Sequence, residues 1–374
     1  MIQLIRIILI TVLFLMGTRP VFAAMSDFTD PSDGYLDMTN WLLEHKGFLP
    51  VPIIITEPAI GYGAGAALVF MQQHDQTMRL PPTITAIAAM GTVNGSMAGG
   101  VFHRRSIDQD QWRYLGGLGA ASMNLDFYGL GGFATTSSDF SLGYNLKGLG
   151  TIQDIRKRLG DTKWYVGLRY VYMHTTVSFD SDYPSFFDGK EVESNNGGLA
   201  IVTNFDYRDN TLSPEDGYQA EFRYFFYDKV FGSDRKYQLA VLDMTAYWKF
   251  TEEWGSAARI MIKDISGDPP FYSVPYVDLR GVAKMRYQGD TAISTEAELR
   301  WRPQVRWEYS LFAGAGKAKT NDGAFENDDT AVSGGAGFRY LIAKPLGMRM
   351  GVDFAWGPPD SEFVFYIQAG TAWN

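Results

Sequence analysis

Apolar and polar side chains alternate along most of this chain, in segments of about ten residues that are separated by turn-forming residues. Between Thr291 and Arg302, for example, most odd-numbered positions belong to one apolar set, and most even-numbered positions are charged. The apolar set in that segment is Ile293, Ala297, Leu299 and Trp301. Successive side chains of a β-strand point to opposite faces, so a period of two residues predicts strands with one apolar and one polar face.

The same pattern repeats often enough to predict an all-β fold with about 16 strands, an even number as in most bacterial membrane barrels. The first strand is the least regular, because Pro52 and Pro58 bracket it and proline is confined to strand starts and edges. The predicted strands cover residues 50–56, 60–72, 82–93, 95–105, 111–122, 140–152, 163–176, 197–208, 217–228, 237–250, 253–266, 290–302, 304–316, 331–342, 346–357 and 363–373.

A soluble β-sandwich also alternates, but its polar face meets water and is typically rich in Lys, Thr and Ser. Here the polar face is rich in Gly, Arg and Glu, and aromatic residues crowd the apolar face near the strand ends. This pattern predicts a transmembrane antiparallel β-barrel. The longest predicted connections, near 123–139, 177–196, 267–289 and 317–330, fall at one end of the barrel, which places both termini at the other, periplasmic end.

The beginning of the chain has the pattern of a secretory signal peptide. Arg6 precedes an apolar run over 7–16, and Val21-Phe22-Ala23 places small residues where signal peptidase cleaves. The run is too short to cross a bilayer as a helix, which takes about 20 residues. The predicted organisation is therefore a signal peptide over 1–23, a short periplasmic segment over 24–49 and a barrel over 50–374 of an outer-membrane protein.

Composition excludes several classes of function. A net charge of −9 and a pI near 5.0 argue against a nucleic-acid partner, and the absence of Cys excludes disulfides and thiolate metal sites. The four histidines have no metal-ligand spacing, and no Gly-x-Ser-x-Gly motif occurs. The sequence therefore predicts neither an enzyme nor a protein with a cofactor or a bound metal.

Several short motifs, in order, resemble the barrel of the BamA/TamA-type outer-membrane proteins, the bacterial surface antigen superfamily. The central one is Leu279-Arg280-Gly281 in the longest connection, which is similar to the family's V-R-G-F/Y signature and precedes a strand containing Ala297-Glu298-Leu299-Arg300. The other motifs are Asp126-Phe127-Tyr128-Gly129-Leu130-Gly131, Asp206-Tyr207-Arg208-Asp209-Asn210 with Pro214-Glu215-Asp216-Gly217, Gly335-Ala336-Gly337-Phe338-Arg339, and Leu346-Gly347-Met348-Arg349-Met350.

The resemblance implies that the Arg280 loop folds back into the barrel and that Glu298 pairs with Arg280. The family's F-x-D-x-G motif is here Phe312-Ala313-Gly314-Ala315-Gly316, so one expected carboxylate is missing. The anchor of Arg280 is therefore expected to be weaker than in the family, or to be shared with Asp353 or Glu296. About 25 residues separate the predicted cleavage site from the barrel, too few for a periplasmic POTRA domain, so the chain resembles a member that consists of the barrel alone.

Two further groups of residues are candidates for function. Inward arginines and carboxylates form a predicted charged wall, which either seats the Arg280 loop or only satisfies its own charges. Its members are Arg223, Arg300, Arg302, Arg306, Arg339, Arg349, Glu221, Glu296, Glu298, Glu308 and Asp353. The last strand resembles the terminal signal of such barrels through the alternating residues Phe363, Phe365, Ile367 and Trp373.

The resemblance implies a role in assembling or transporting protein or lipidic cargo at the outer membrane. The expected partners are outer-membrane lipid (lipopolysaccharide and phospholipid) and a protein substrate or periplasmic partner. The alternative is a passive diffusion channel or a surface antigen without assembly activity, since a fold does not determine a function.

Overall fold

A computed structural model describes residues 28–39, 48–57, 59–72, 81–127, 142–179, 192–319, 330–358 and 362–373. The predicted signal peptide and the Tyr128–Gly131 part of the first family motif lie outside these residues. No helix in the described part of the chain is long and apolar enough to cross a membrane.

The described residues form sixteen strands in one antiparallel sheet, and each strand pairs with its neighbours in sequence. This confirms the predicted all-β fold and the predicted number of strands. The strands are β1 (Phe48–Ile55), β2 (Gly63–Gln72), β3 (Thr83–Thr92), β4 (Met97–Ile107), β5 (Trp112–Phe127), β6 (Leu142–Arg158), β7 (Trp164–Phe179), β8 (Glu193–Asp206), β9 (Gly217–Tyr227), β10 (Tyr237–Lys249), β11 (Trp254–Gly267), β12 (Thr291–Trp301), β13 (Trp307–Lys319), β14 (Thr330–Ala343), β15 (Met348–Gly357) and β16 (Glu362–Ala369).

The sheet curls into a barrel that is nearly closed. Between β1 and β16, the described residues form no backbone ladder. The edges meet through a side chain, because the Thr56 hydroxyl donates to the carbonyl oxygen of Phe365 and accepts from its N–H at 3.0 Å. We call this junction the seam.

The connections differ in length between the two ends of the barrel. The connections after β5, β7 and β11 are the longest and lie at one end, which we call the loop end. The connection after β13 also lies there, but it is no longer than two connections at the opposite end, the turn end. Because the number of strands is even, both ends of the sheet, Phe48 and Ala369, lie at the turn end.

Burial follows the predicted alternation most clearly in β12. Leu299 is 43% exposed on the outer face, while the neighbouring Glu298 and Arg300 are 2% and 4% exposed on the inner face. The outer surface of the barrel is an apolar band, and the inner face carries the charges. The assignment of inner and outer faces in β12 is therefore confirmed.

Two predictions about the last two strands were wrong, one about a face and one about a strand end. The alternation in the predicted strand over 346–357 places Leu346 and Met348 on its apolar, outer face. In the structure both pack in a buried apolar cluster with Leu49, because a register shift between Leu341 and Ala343 displaces the start of β15. The last strand ends at Ala369 rather than at residue 373, since Gly370 has a φ of 87° and turns the chain out of the sheet.

A segment before β1 binds to the turn end. The Arg306 side chain donates to the carboxylates of Asp30, Asp33 and Asp37 at 2.7–2.8 Å, and the N–H of Met38 donates to the Ile342 carbonyl at 2.7 Å. Hydrogen bonds from Ser32 lower the pKa of Asp30 to about 2, and the Arg306 hydrogen bond lowers the pKa of Asp33. Carboxylates with lowered pKa values favour the bound segment above their unfolded pKa, near 4, and lose this effect as the pH falls through the folded value.

We predict that the outer apolar band faces lipid. Leu299→Arg should then reduce assembly of the barrel, because an arginine on the lipid face costs about 2–4 kcal/mol near the midplane. The control is Gln368→Arg, whose side chain lines a luminal cavity of about 610 Å³. Heat-modifiable gel mobility of membrane fractions measures assembly, and equal yields of the two variants would contradict the assignment.

We also predict that Arg306→Ala releases residues 28–39. The change removes all four charge-assisted hydrogen bonds between Arg306 and the carboxylates of Asp30, Asp33 and Asp37. Faster amide hydrogen exchange at Asp37 and Met38 would show the release. Lys344→Ala serves as the control, since Lys344 is more exposed and its contacts with Asp30 and Asp33 are longer, at 3.2 and 3.7 Å.

Candidate functional site

The connection between β11 and β12, residues 268–290, folds into the barrel as a hairpin-like loop. The N–H of Val277 donates to the Tyr287 carbonyl at 2.9 Å, and the N–H of Gly289 donates to the Pro275 carbonyl at 3.0 Å. The buried side chains of Val277, Leu279, Val282 and Tyr287 pack on alanines of the inner wall. These alanines are Ala292, Ala318 and Ala331.

Small residues on the wall make room for this loop. A Cβ atom at Gly314 would lie 2.8 Å from the Leu279 side chain, and one at Gly316 would lie 2.4 Å from Val277. The glycine that replaces the family's carboxylate is therefore part of the seat of the loop. At the tip, Gly281 has a φ of 86°, and a Cβ atom there would lie 2.9 Å from the backbone of Trp356, so the position requires a residue without a Cβ.

Arg280 lies at the centre of the site and is 8% exposed. Its Nε donates to Glu296 at 2.9 Å, and its Nη1 lies 3.0 Å from Glu298 and 2.6 Å from Asp353. The guanidinium plane lies over the ring of Phe312, 3.5 Å from its centre. The structure thus brings Arg280 together with Glu298, and both candidates for the missing carboxylate, Glu296 and Asp353, contact the same arginine.

The ion pairs continue from Arg280 towards the turn end. Arg339, 1% exposed, contacts Glu298, Glu308 and Asp353 at 3.0–3.3 Å. Arg300 donates to Glu298 at 2.8 Å. Five arginines and five carboxylates alternate along this network, which we call the luminal ladder. Its members are Arg280, Arg300, Arg302, Arg339, Arg349, Glu215, Glu296, Glu298, Glu308 and Asp353.

Charge balance explains why so many charged groups lie inside the barrel. Removing an ion from water costs several kcal/mol unless opposite charges and hydrogen bonds replace the lost hydration. Glu298, 2% exposed, contacts Arg280, Arg300 and Arg339, so each buried charge has several partners. Loss of one member would leave the others unpaired, and the ladder is therefore expected to respond as a unit.

The turn between β8 and β9 closes the other end of the ladder. The Pro214 carbonyl accepts a hydrogen bond from Arg300 at 2.9 Å, and the Ser213 hydroxyl accepts one from the N–H of Arg349 at 3.2 Å. Glu215 contacts Arg302 at 3.2 Å. The sequence Pro214-Glu215-Asp216-Gly217 predicts a turn, because Pro fixes φ and Gly accepts a positive φ, and the structure adds that this turn binds the luminal arginines.

The end of the chain also reaches the site. The indole N–H of Trp373 donates to Glu296 at 2.7 Å, and its ring lies 5.7 Å from the Arg280 guanidinium. The alternation of the last strand had placed Trp373 on the outer face, which was wrong because the strand ends at Ala369. Phe363, Phe365 and Ile367 lie in β16 on the outer face, with Phe363 47% exposed, and their role as a terminal signal stays a prediction.

The sequence pattern missed the residues that connect the loop tip to the seam. The N–H of Lys284 donates to Glu57, between β1 and β2, at 2.9 Å. The N–H of Gly281 donates to the hydroxyl of Tyr366, in β16, at 3.0 Å. These loop and seam residues are far apart in the sequence, and each is an ordinary polar or glycine residue. The sequence pattern therefore gave no sign that they contact one another. The described residues contain no group of three His, Cys, Asp or Glu side chains that could hold a metal ion.

We predict that Arg280→Ala and Glu298→Ala destabilise the barrel by non-additive amounts. Breaking a buried ion pair typically costs about 3–5 kcal/mol. Glu298→Ala should be the more harmful, because it leaves three arginines with one carboxylate fewer. Urea unfolding of the purified barrel in lipid vesicles measures both single variants and the double variant.

The control for this cycle is the surface pair of Lys236 and Asp228, 3.5 Å apart and outside the luminal ladder, whose alanine variants should show almost no coupling. Coupling near zero between Arg280 and Glu298 would contradict the role of Arg280 as a lock on the loop.

Two solved structures have the same type of barrel. BamA from Haemophilus ducreyi lacking POTRA domains 1–3 aligns with a TM-score of 0.54 and 13% identity over 85% of this chain and 67% of that one. CdiB from Acinetobacter baumannii aligns with a TM-score of 0.57 and 10% identity over 86% of this chain and 59% of that one. No protein-family model matches the sequence, and no curated protein sequence is significantly similar to it. The chain has the sixteen-stranded barrel fold of BamA and CdiB, and the resemblance inferred from its motifs is confirmed in fold.

Proposed function

We propose that this chain is an integral outer-membrane protein that assists the insertion or translocation of protein or lipidic cargo. The observation that carries the proposal is the seam, where β1 and β16 meet without a backbone ladder while the tip of the luminal loop contacts both sides. Such an arrangement allows the wall to open sideways when the loop moves.

The chemistry of the seam supports this proposal. Strand edges without a ladder present N–H and C=O groups that another strand can pair with. Pro50 and Pro52 in β1 have no N–H, and residues two apart face the same edge of a strand. Because β1 pairs with β2 without interruption, the edge that lacks these donors is the one at the seam. The contacts of Thr56 with the Phe365 backbone are few enough to break and re-form.

The closed lumen argues against the alternative of a passive channel. The loop over 268–290, the turn over 207–216 and Trp373 all occupy the barrel interior. These segments narrow the path that a solute would take along the lumen. Short connections at the turn end favour a periplasmic location of that end and of both termini.

In this proposal the protein uses no cofactor, nucleotide or catalytic group, and it is not an enzyme. Opening of the seam, together with rearrangement of the lipid around it, would let the cargo pass. The partners are lipopolysaccharide and phospholipid at the outer face, and a protein substrate or periplasmic protein at the turn end.

A disulfide across the seam tests the proposal. The chain has no Cys, so Thr56→Cys, directly after β1, with Phe365→Cys in β16 introduces a single pair where the two edges are in contact. We expect the oxidised variant to lose its ability to accelerate folding of a second, substrate barrel in lipid vesicles, and a reductant to restore it.

The control is Thr56→Cys alone, which cannot join the strands within one chain. Acceleration by the oxidised double variant equal to that by the reduced one would contradict a role for the seam. Single-channel recordings distinguish this proposal from a passive diffusion channel, since a steady, open conductance would indicate a channel and not a closed barrel.

A further inference from the structure

In the part of β3 to β7 nearer the loop end, the inner wall of the barrel is apolar, unlike the luminal ladder. Inward positions there include Ala88, Met90, Phe102, Met123 and Met173. They border a cavity of about 510 Å³, and of the described residues that line it none has a polar side chain. We call this cavity the apolar chamber.

A second cavity of about 480 Å³ continues the chamber along the wall. The two share Gly119, Gly150 and Met173 among their lining residues, and the second extends to the aromatic rings of Tyr227 and Tyr237. Ligand-binding cavities typically measure about 300–1,000 Å³ and are mostly apolar. The space exists because most of its inward residues are Gly, Ala or Met, and larger side chains would have filled it.

The apolar wall of the chamber differs from the wall of a water-filled barrel. Lumens that hold water carry polar side chains, as the β12 to β15 wall does here. Apolar surface in contact with water costs about 25 cal/mol per Å², so an apolar ligand would find this chamber favourable. The wall composition therefore points to an apolar occupant.

The luminal loop closes the chamber at the loop end. Phe271, 4% exposed, packs edge to face on Tyr144 with ring centres 5.1 Å apart, next to the buried Val177. Leu146, which lines the chamber, packs against this cluster. The chamber is thus apolar on its walls and at this end.

At the turn end the chamber meets arginines. Arg104 lies on the inner face of β4, two residues beyond Phe102 and therefore about 7 Å along the strand. Among the described residues, it forms neither a hydrogen bond nor an ion pair, although Asp206 is near enough to interact electrostatically. Neighbouring arginines do have partners, since Arg113 contacts Asp110 at 2.7 Å and Asp206 at 2.9 Å.

We propose that the apolar chamber binds the acyl chain of an anionic amphiphile, whose carboxylate or phosphate contacts Arg104. The chain matches the apolar walls, and the anion supplies the partner that Arg104 lacks. Arginine is suited to both carboxylate and phosphate, because its planar group donates two parallel hydrogen bonds.

The seam provides a route from the bilayer. Ile53 of β1 lines the chamber, and its neighbours Thr56 and Glu57 belong to the seam and the loop contact. An acyl chain that passes between β1 and β16 would enter the chamber directly. The binding site itself does not depend on the proposed assembly activity, which a separate folding assay measures.

Photo-crosslinking in lipid vesicles tests the site with the full chain. The probes are palmitic acid with a diazirine in mid-chain, its methyl ester, and phosphatidylglycerol with the same acyl chain. Peptide mapping then compares labelling of the inward residues Met90 and Met123 with that of the outward residues Ile87 and Leu118. We expect the acid to label the inward set, and labelling by the phosphatidylglycerol as well would identify phospholipid as a source.

Matched variants separate the site from bulk lipid. Arg104→Gln should reduce inward labelling by the acid about tenfold, the effect of losing one charge-assisted hydrogen bond. Arg105→Gln, on the exposed outer face of the same strand, should leave it unchanged. Ala88→Leu should reduce inward labelling by filling the chamber, whereas Ala66→Leu, on the outer face of β2, should not.

Two results would overturn the proposal. Labelling confined to outward residues would show that no acyl chain enters the chamber. Equal inward labelling by the acid and its methyl ester, unaffected by Arg104→Gln, would show that the anion is not recognised. Heat-modifiable gel mobility confirms that each variant is folded before labelling. If Ala88→Leu does not fold, the comparison of Arg104→Gln with Arg105→Gln alone tests the site.

Discussion

Arg280 and Arg339 share the buried carboxylates of Glu298 and Asp353, and this shared pairing holds the long loop against the strand wall. Buried ions are stable only when opposite charges replace their lost hydration. Loss of one member of the ladder would therefore leave its neighbours buried without a counter-charge. The position of the loop, the inward turn around Pro214 and the bend of the chain to Trp373 all follow from it. Each of these segments supplies a partner to a buried charge, or lies against one.

The ladder occupies only one side of the lumen. Strands β12 to β15 carry most of its charges on their inner faces, whereas the loop-end part of β3 to β7 carries mainly glycine, alanine and methionine around the apolar chamber. A polar wall with its own counter-charges and an apolar wall with unfilled space face each other across the barrel. Both walls are closed from the loop end by the same loop, through Arg280 on one side and Phe271 on the other.

The seam lies next to both walls, and that position connects the proposals. The loop tip contacts Glu57 beyond β1 and Tyr366 in β16, while Ile53 of β1 lines the apolar chamber. Movement of the loop would therefore change the seam and the closure of the chamber together. The segment bound by Arg306 adds a second contact at the turn end, away from the seam contacts of the loop tip.

Alternation by itself determined that this chain forms about sixteen strands, which face of β12 carries Glu298 and Arg300, and which end has the longest connections, because a period of two follows directly from strand geometry. The motif around Arg280 also indicated a luminal loop and Glu298 as its partner. Only the tertiary structure decided that Glu296 and Asp353 share Arg280, that Trp373 leaves the last strand, and that Arg104 stands beside an apolar chamber. These features depend on contacts between residues far apart in the chain and on a register shift and a positive φ at Gly370, none of which changes the local pattern of polar and apolar residues.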